Sequence, residues 1–251
     1  MATHTQLAHY LTSFFEFDKL NRFPKEWGLT VRGDGSISKI GYCTNLTPQT
    51  VEEAICHEVD LVLTHHDAWS FIYGMPEACV SRLEECGISS SFFHLALDDA
   101  DFGTSATLAG KLGLCNIEKS TLYEGLFSCG RIGEWECERS LDDVKALLEK
   151  TLGEPVRAWR NHDRSIKKAC VVTGAGMDTP FVKEAVDRGC DAYITGEKHL
   201  YTVEYAKFAG IDLLVGSHTA TELPGVESLA RRVAEKLPDI QLVRLHEERI
   251  E

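Results

Sequence analysis

The sequence lacks any long run of apolar residues. Its apolar segments, such as Leu61 to Thr64, are short and end in polar groups, whereas a helix that crosses a bilayer needs roughly 20 consecutive apolar residues. The first residues, from Met1 to Gln6, also lack the basic head and apolar stretch of an export signal. The sequence therefore predicts a soluble protein without a membrane partner, and a cytoplasmic location is the expectation.

Positive charge and paired cysteines are also scarce. The chain has 26 Lys and Arg against 39 Asp and Glu, which gives a formal net charge of −13. Because proteins bind nucleic acids by neutralising phosphates with cations, this charge argues against a nucleic-acid partner. The nine cysteines include no Cys-x-x-Cys pair, and an odd number without such pairs is typical of reduced thiols.

The order of the apolar segments predicts an α/β fold. Short apolar strands alternate with amphipathic helices through most of the chain, which is typical of a parallel sheet. Between Leu122 and Trp159 the pattern changes to two strand-like pieces joined near Gly130, followed by one helix. We therefore expect two domains, a discontinuous one of residues 1–120 and 216–251 and a second one of residues 121–215.

Two histidines directly follow one of the predicted strands. His65 and His66 come after Leu61-Val-Leu-Thr, at the carboxyl end of a strand, where open α/β sheets bind their ligands. Adjacent side chains on an extended backbone point in opposite directions, so we expect the two imidazoles to serve different metal ions. A surface or capping role is the alternative for such a pair, and further ligands are needed.

Asp98 lies beyond the end of the next predicted strand. If the strand alternation continues past His94, then His94, Ala96 and Asp98 share one side, and Asp98 reaches the same sheet edge as the histidine pair. The alternative is that Asp98 and Asp99 cap the following helix, because carboxylates favour helix N-termini. The sequence leaves both interpretations open.

A third candidate segment follows the predicted strand Asp212 to Val215. It carries His218 and Glu222, four residues apart, although Glu222 could instead stabilise the first turn of the next helix. Glu197 also lies at a strand end, although it could instead start the next helix. Either His94 or Glu197 could transfer protons as a general acid or base if it lies within hydrogen-bonding reach.

Two glycines, Gly174 and Gly176, lie between a predicted strand and a predicted helix. Glycines at such a position can cradle a phosphate group against the N-terminus of the helix. They more often form a tight turn, because glycine adopts backbone conformations that other residues avoid.

These residues together match a known family. The chain resembles the Nif-three-like dinuclear-metal proteins, often named GTP cyclohydrolase type-two homologues. The motifs that carry the resemblance are Asp60-Leu-Val-Leu-Thr-His-His66, Leu97-Asp98, Leu108-Ala-Gly-Lys-Leu-Gly-Leu114, Asp191-Ala-Tyr-Ile-Thr-Gly-Glu197 and His218-Thr-Ala-Thr-Glu222. The chain departs from the family pattern at Asn45, Asp67 and Ser217, where aspartate, proline and glycine are usual. It also has Lys25-Glu-Trp-Gly-Leu where Asp-Asn-x-Gly-Leu is common.

The resemblance implies a centre of two divalent metal ions. Its ligands would be His65, His66, Asp98, His218 and Glu222, with Glu222 touching both ions. Nitrogen and oxygen ligands without a thiolate suit zinc, iron, manganese, cobalt or nickel. The resemblance also implies two interlinked α/β domains, a metal site at strand carboxyl ends in the crevice, and a hexameric ring of identical chains.

Two divalent ions would permit hydrolysis. Paired ions activate a bridging water and stabilise negative charge on a carbonyl or phosphoryl oxygen, and their positive charge attracts anions. We therefore expect a metal-dependent hydrolase of a small anionic or nucleotide-like substrate. The alternative is a non-catalytic metal-binding or regulatory scaffold that acts through protein partners.

Overall fold

The computed structural model describes residues 2–33, 35–123 and 125–250. The helices in these ranges are α1 (His4–Ser13), α2 (Phe17–Arg22), α3 (Pro48–Cys56), α4 (Met75–Glu85), α5 (Leu95–Asp99), α6 (Thr104–Lys111), α7 (Leu141–Leu152), α8 (Thr179–Asp187), α9 (Leu200–Ala209) and α10 (His218–Lys236). The strands are β1 (Trp27–Val31), β2 (Lys39–Tyr42), β3 (Leu61–Thr64), β4 (Ser89–Phe93), β5 (Cys115–Tyr123), β6 (Phe127–Arg139), β7 (Arg157–Trp159), β8 (Ile166–Val172), β9 (Ala192–Thr195), β10 (Asp212–Val215) and β11 (Gln241–Arg244). Within the described ranges, no helix combines the length and apolar character that a membrane crossing requires.

The chain divides into two compact units. The first comprises Met1–Ala100 and Val226–Ile250, and the second comprises Asp101–Gly225. The boundaries expected from the sequence, after residue 120 and before residue 216, differ from these. The reason at the first boundary is that α6 packs in the second unit, where its Leu108 shares a core cluster with Trp135 of β6. The second boundary falls within α10.

The first unit contains a five-stranded sheet among its described residues, with the order β1-β4-β3-β2-β11. Strands β4, β3, β2 and β11 are parallel, and β1 is antiparallel to β4. All four residues of β3 are buried, as the continuous apolar run of a central parallel strand requires. Because the parallel strands run in one direction, the segments that follow β2, β3, β4 and β11 leave the sheet at the same edge.

The second unit contains a six-stranded sheet among its described residues, with the order β5-β6-β8-β9-β10-β7. Here β8, β9 and β10 are parallel, while β5, β6 and β7 run antiparallel to their neighbours. The predicted join near Gly130 is wrong, since Gly130 lies inside β6. A Cβ atom at this position would lie 2.5 Å from the Thr121 hydroxyl of β5, so glycine here permits close strand pairing instead of a turn.

Candidate metal centre

The histidine pair lies just beyond β3, where the backbone departs from regular alternation. The amides of His65 and His66 both donate to the Thr44 carbonyl oxygen, at 3.0 and 2.9 Å. Two consecutive residues thus face one residue of the neighbouring segment, which is the pattern of a β-bulge. The two imidazole centroids are only 4.5 Å apart, so the expectation that the side chains point in opposite directions is wrong.

His94 completes a cluster of three imidazoles in the first unit. It directly follows β4, and its ring centroid lies 4.9 Å from that of His65 and 5.1 Å from that of His66. One ring nitrogen of each histidine lies within 4.8 Å of the other two, close enough to share a metal ion. The sequence indicated His94 only for proton transfer, whereas its position also makes it a candidate ligand.

Asp98 reaches this cluster from a helical turn. Helix α5 begins immediately after His94, and the Asp98 amide donates to the His94 carbonyl oxygen at 3.2 Å. Asp98 Oδ1 lies 3.4 Å from His65 Nε2. The predicted strand alternation past His94 is therefore wrong, although Asp98 still lies beside His65. Asp98 lies in the first turn of α5, and the residue that precedes α6 at its N-terminus is Gly103.

The ring orientation of each histidine in the first unit is fixed through Nδ1. Each Nδ1 bonds to an oxygen atom, namely the Phe93 carbonyl for His65 at 2.9 Å, Asn45 Oδ1 for His66 at 2.7 Å, and Glu26 Oε2 for His94 at 2.5 Å. The hydrogen bond from His94 lowers the pKa of Glu26. Since a donating Nδ1 leaves the lone pair on Nε2, each ring presents Nε2 as its metal-ligating atom.

His218 and Glu222 form a pair in the second unit, on the first turns of α10. His218 Nε2 lies 3.2 Å from Glu222 Oε1, and His218 Nδ1 bonds to Glu197 Oε1 at 2.5 Å. Burial works against a charged imidazole, but the carboxylates of Glu222 and Glu197 outweigh it and raise the pKa of His218 to about 10. The two carboxylates therefore favour a positive charge at the His218 ring, and a bound metal ion would also supply positive charge there.

Ser217 stabilises the turn of α10 that carries His218 and Glu222. The Ala220 amide donates to Ser217 Oγ at 3.1 Å, so Ser217 stabilises the N-terminus of α10 as a capping side chain. The Ser217 amide and hydroxyl in turn donate to the Glu154 carboxylate, at 2.7 and 3.0 Å. The serine that departs from the family pattern thus fixes the turn from which His218 and Glu222 project.

Gly174 lies against the same pair. Its φ angle is +61°, and a Cβ atom there would clash with Glu222 Oε1 and lie 2.7 Å from His218 Nε2. The Gly174 amide donates to Thr221 Oγ1 at 3.0 Å, and the Gly176 amide donates to the Gly174 carbonyl oxygen at 2.9 Å. Both amides are thus engaged, and these glycines form the tight turn that the sequence favours, which makes room for Glu222.

Glu26 was not anticipated from the sequence. It immediately precedes β1, whose first residue Trp27 is paired with Phe93 of β4, so the fold brings Glu26 beside His94. The two residues are 68 positions apart in the chain. The segment Lys25-Glu-Trp-Gly-Leu29 marks a departure from the family pattern, but only the strand pairing reveals that Glu26 lies beside His94.

Comparison with known proteins identifies the family. A family model described as Duf34/NIF3 (NGG1p interacting factor 3) matches residues 2–249. The chain belongs to the DUF34/NIF3 family. A Haemophilus influenzae relative named GTP cyclohydrolase 1 type 2 homolog is 29% identical over 238 residues, which cover 92% of this chain and 93% of the relative. An Allochromatium vinosum protein of the same name is 26% identical over 216 residues, or 83% of each chain.

Solved structures of other proteins share this fold. A Bacillus cereus protein related to NIF3 has a TM-score of 0.83 at 13% identity, and the match covers 100% of this chain and 98% of that chain. Reduced HcgD from Methanocaldococcus jannaschii has a TM-score of 0.82 at 20% identity, covering 98% of both chains. The family resemblance and the α/β fold predicted from the motifs are therefore confirmed.

Proposed function

We propose that this DUF34/NIF3 protein binds two divalent metal ions and uses them to hydrolyse a small anionic or nucleotide-like substrate. The proposed ligands are His65, His66, Asp98, His218 and Glu222. One observation carries the proposal: each candidate histidine is held at Nδ1 by an oxygen atom and directs Nε2 away from that partner. Metal-ligating histidines are oriented by the same outer hydrogen bonds.

The chemistry of the donors supports a hard or borderline divalent ion. All five proposed ligands offer nitrogen or oxygen, which suits zinc, iron(II), manganese, cobalt or nickel. Cys43, which donates through Sγ to the Asn45 carbonyl oxygen, is fully buried, and burial raises the pKa of its thiol well above the usual value. It therefore stays protonated and is a poor competitor for the metal.

Two bound divalent ions supply an activated hydroxide near neutral pH and stabilise negative charge on a carbonyl or phosphoryl oxygen. We assign proton transfer to His94, whose side chain is 36% exposed and whose Nδ1 is held by Glu26. A carboxylate on Nδ1 orients an imidazole and leaves Nε2 as the atom that exchanges the proton. Glu197 instead bonds to His218 Nδ1, so we assign it the orientation of that ring.

An aromatic segment supports a substrate with a planar ring. Trp69 follows the histidine pair, with its ring centroid 5.5 Å from that of His66 and 6.4 Å from that of Phe71. Phe71 and Tyr73 are 72% and 97% exposed. Because nucleobases stack on exposed aromatic faces, this segment favours a nucleotide-like substrate over a simple phosphoester.

Elemental analysis of the purified protein tests the proposal first. We expect about two divalent ions per chain, as a two-metal hydrolase requires, and their loss in His65→Ala and Glu222→Ala variants. His57→Ala is the matched control, because His57 is 47% exposed and contacts Glu53 of its own helix. A nucleotide and phosphoester screen on the same samples should show an activity that is lost with the ions. A chain without metal would refute the proposal.

A non-catalytic scaffold is the second candidate, and the exposed apolar side chains of α9 favour it. Leu200, Tyr201 and Phe208 are 76%, 53% and 87% exposed, and clustered exposed apolar groups mark surfaces that contact other proteins. In this alternative the ions organise an assembly, such as the hexameric ring implied by the family resemblance, without turnover. Two ions per chain with no activity in the screen would support the scaffold.

A further inference from the structure

The C-terminal strand brings a carboxylate to the edge where the histidine cluster lies. Strand β11 pairs in parallel with β2, with Arg244 opposite Tyr42. The pairing continues beyond both strands, since the Leu245 amide donates to the Tyr42 carbonyl oxygen at 3.0 Å. The same offset places Glu247 beside Asn45.

Packing on both sides of Glu247 fixes this register. Leu245 is only 1% exposed, and its methyl carbons lie over Gly41, where a Cβ atom would approach them to 2.9 Å. On the other side, the Glu248 amide donates to Gln49 Oε1 of α3 at 3.0 Å. The segment that carries Glu247 is therefore held by an apolar contact and by a hydrogen bond.

The Glu247 carboxylate accepts hydrogen bonds from the segment that follows β2. Its Oε2 accepts from the Thr44 amide at 2.8 Å, and its Oε1 accepts from both the amide and the side-chain Nδ2 of Asn45 at 2.9 Å. Burial raises the pKa of Glu247, and these donors act against burial by stabilising the charged form. Because a carboxylate only accepts, the Asn45 group that faces it must be the NH₂ group.

The orientation of the Asn45 carboxamide determines which of its atoms faces His66. With Nδ2 on Glu247, its Oδ1 faces His66 Nδ1 at 2.7 Å. An amide oxygen cannot donate, so His66 Nδ1 carries a proton, and in the neutral ring Nε2 carries the lone pair. The Asn45 carbonyl oxygen also accepts from Thr50 Oγ1 at 3.0 Å, so the backbone of Asn45 is fixed as well.

We propose that Glu247 is a positioning residue of the metal centre, which acts through Asn45 to select the His66 tautomer with the lone pair on Nε2. Its role at the metal rests on the proposed function, because it assumes that His66 is a ligand. The choice of tautomer needs no metal ion and can be measured in the metal-free protein.

The Glu247→Gln variant tests the selection of the tautomer. Glutamine keeps the shape of the side chain but replaces one accepting oxygen with an NH₂ group. When this NH₂ group faces Asn45, the Asn45 carboxamide turns and presents its own NH₂ group to His66 Nδ1, so the ring proton moves to Nε2. Solid-state NMR of metal-free protein labelled with ¹⁵N-histidine separates protonated from unprotonated ring nitrogens, and a His66→Gln variant assigns the His66 signals.

We expect His66 to carry its proton on Nδ1 in the native protein and to populate the Nε2-protonated form in Glu247→Gln. Glutamine can also turn its own carbonyl oxygen toward Asn45 and keep the native tautomer, so Glu247→Ala, which removes the acceptor altogether, is measured beside it. An unchanged tautomer in both variants would overturn the proposal. Glu248→Gln is the matched control, since Glu248 is the exposed neighbour of Glu247, and it should leave the tautomer unchanged. Adding Asn45→Asp to Glu247→Gln should restore the native tautomer, because the new carboxylate at position 45 accepts from His66 Nδ1 and from the new amide.

Metal affinity separates this proposal from the proposed function. In competition with a chelator for Zn²⁺, Glu247→Gln should bind the ion about tenfold more weakly, at the lower end of the effect of changing groups that orient a metal ligand. Glu248→Gln should bind Zn²⁺ with native affinity. A native protein that binds no metal while Glu247→Gln shifts the tautomer would refute the proposed function and retain the tautomer selection. Two bound ions with neither tautomer nor affinity changed in Glu247→Gln and in Glu247→Ala would overturn the role of Glu247 alone.

Discussion

In the first unit, α3 and α4 connect the parallel strands β2, β3 and β4, and β1 pairs antiparallel with β4. In the second unit, α8 and α9 connect β8, β9 and β10 in the same order, and β7 pairs antiparallel with β10. Asp60 before β3 and Asp191 before β9 each accept two backbone amides from the start of the neighbouring strand. The same arrangement of three parallel strands, two connecting helices, one antiparallel strand and one aspartate therefore occurs twice in the chain. We call this arrangement the framework.

The side chains at the equivalent strand ends differ. The strand registers match Asn45 with Gly174, His65 with Gly196, and His66 with Glu197. In the first unit the strand ends supply imidazoles and the groups that orient them. In the second unit two of these positions are glycine, and a Cβ atom at either would clash with residues of α10. One framework thus presents candidate ligands at its strand ends, whereas the other makes room for candidate ligands on a helix.

Gly174→Ala tests this difference between the two frameworks, and we expect it to have the largest effect on metal affinity. The new Cβ atom would meet Glu222 Oε1 and His218 Nε2, so we expect metal affinity to fall by about 100-fold or more, at the upper end for changes beside a ligand. Gly189→Ala is the matched control, because Gly189 has a similar φ of +71° and no atom within 4 Å of the added Cβ.

Both alanine variants should lose about 1–2 kcal/mol of unfolding free energy from left-handed backbone strain, measured by urea unfolding. Only Gly174→Ala should lose metal in chelator competition. Native affinity in Gly174→Ala would show that Gly174 does not make room for a ligand.

A smaller effect is expected from the carboxylates that orient the rings. Glu197→Gln should lower metal affinity by about 10- to 100-fold, and it should lower the pKa of His218 in the metal-free protein, because Glu197 is one of the two carboxylates that raise it. Glu26→Gln acts on His94, which is not among the five proposed ligands, so we expect less loss of affinity. Equal losses in the two variants, measured by chelator competition, would make His94 a ligand.

The local features of the sequence predicted much of the fold. Short apolar runs gave the parallel strands, and polar residues directly after them gave the candidate ligands, because a strand end exposes its next side chains at the sheet edge. His65, His66 and His218 were therefore accessible from the sequence. The repeat of Asp-x-x-x-Thr at residues 60–64 and 191–195 also marks the two equivalent strands, but its meaning becomes clear only with the topology.

The features that were missed depend on pairing between distant segments. Glu26 reaches His94 through the pairing of β1 with β4, and Glu247 reaches Asn45 through the pairing of β11 with β2. The backbone bulge at the histidine pair depends on Thr44 from another segment. Local periodicity carries no information about such contacts, so the sequence indicated the ligand candidates more readily than the groups that orient them.

The smallest effect is expected on stability, from a change at Asp60, whose equivalent in the second framework is Asp191. Burial raises the pKa of Asp60, but the Ser38 amide and hydroxyl and the Lys39 amide outweigh burial and lower it. A lowered pKa in the folded state means that the ionised carboxylate stabilises the fold near neutral pH and that this contribution is lost as the pH falls through the folded pKa. Asp60→Asn should therefore cost about 1 kcal/mol near pH 7, a typical size for partly exposed hydrogen bonds.

Asp191→Asn tests whether the second framework uses its aspartate in the same way. Asp191 Oδ2 accepts from the Lys167 and Lys168 amides, each at 3.0 Å, whereas Asp60 also accepts from the Ser38 hydroxyl at 2.8 Å. We therefore expect a smaller loss in Asp191→Asn than in Asp60→Asn in urea unfolding at pH 7. The Asp60→Asn deficit should shrink in acid, where the native carboxylate becomes protonated. A deficit that stays constant down to low pH would show that the carboxylate charge does not stabilise the strand start.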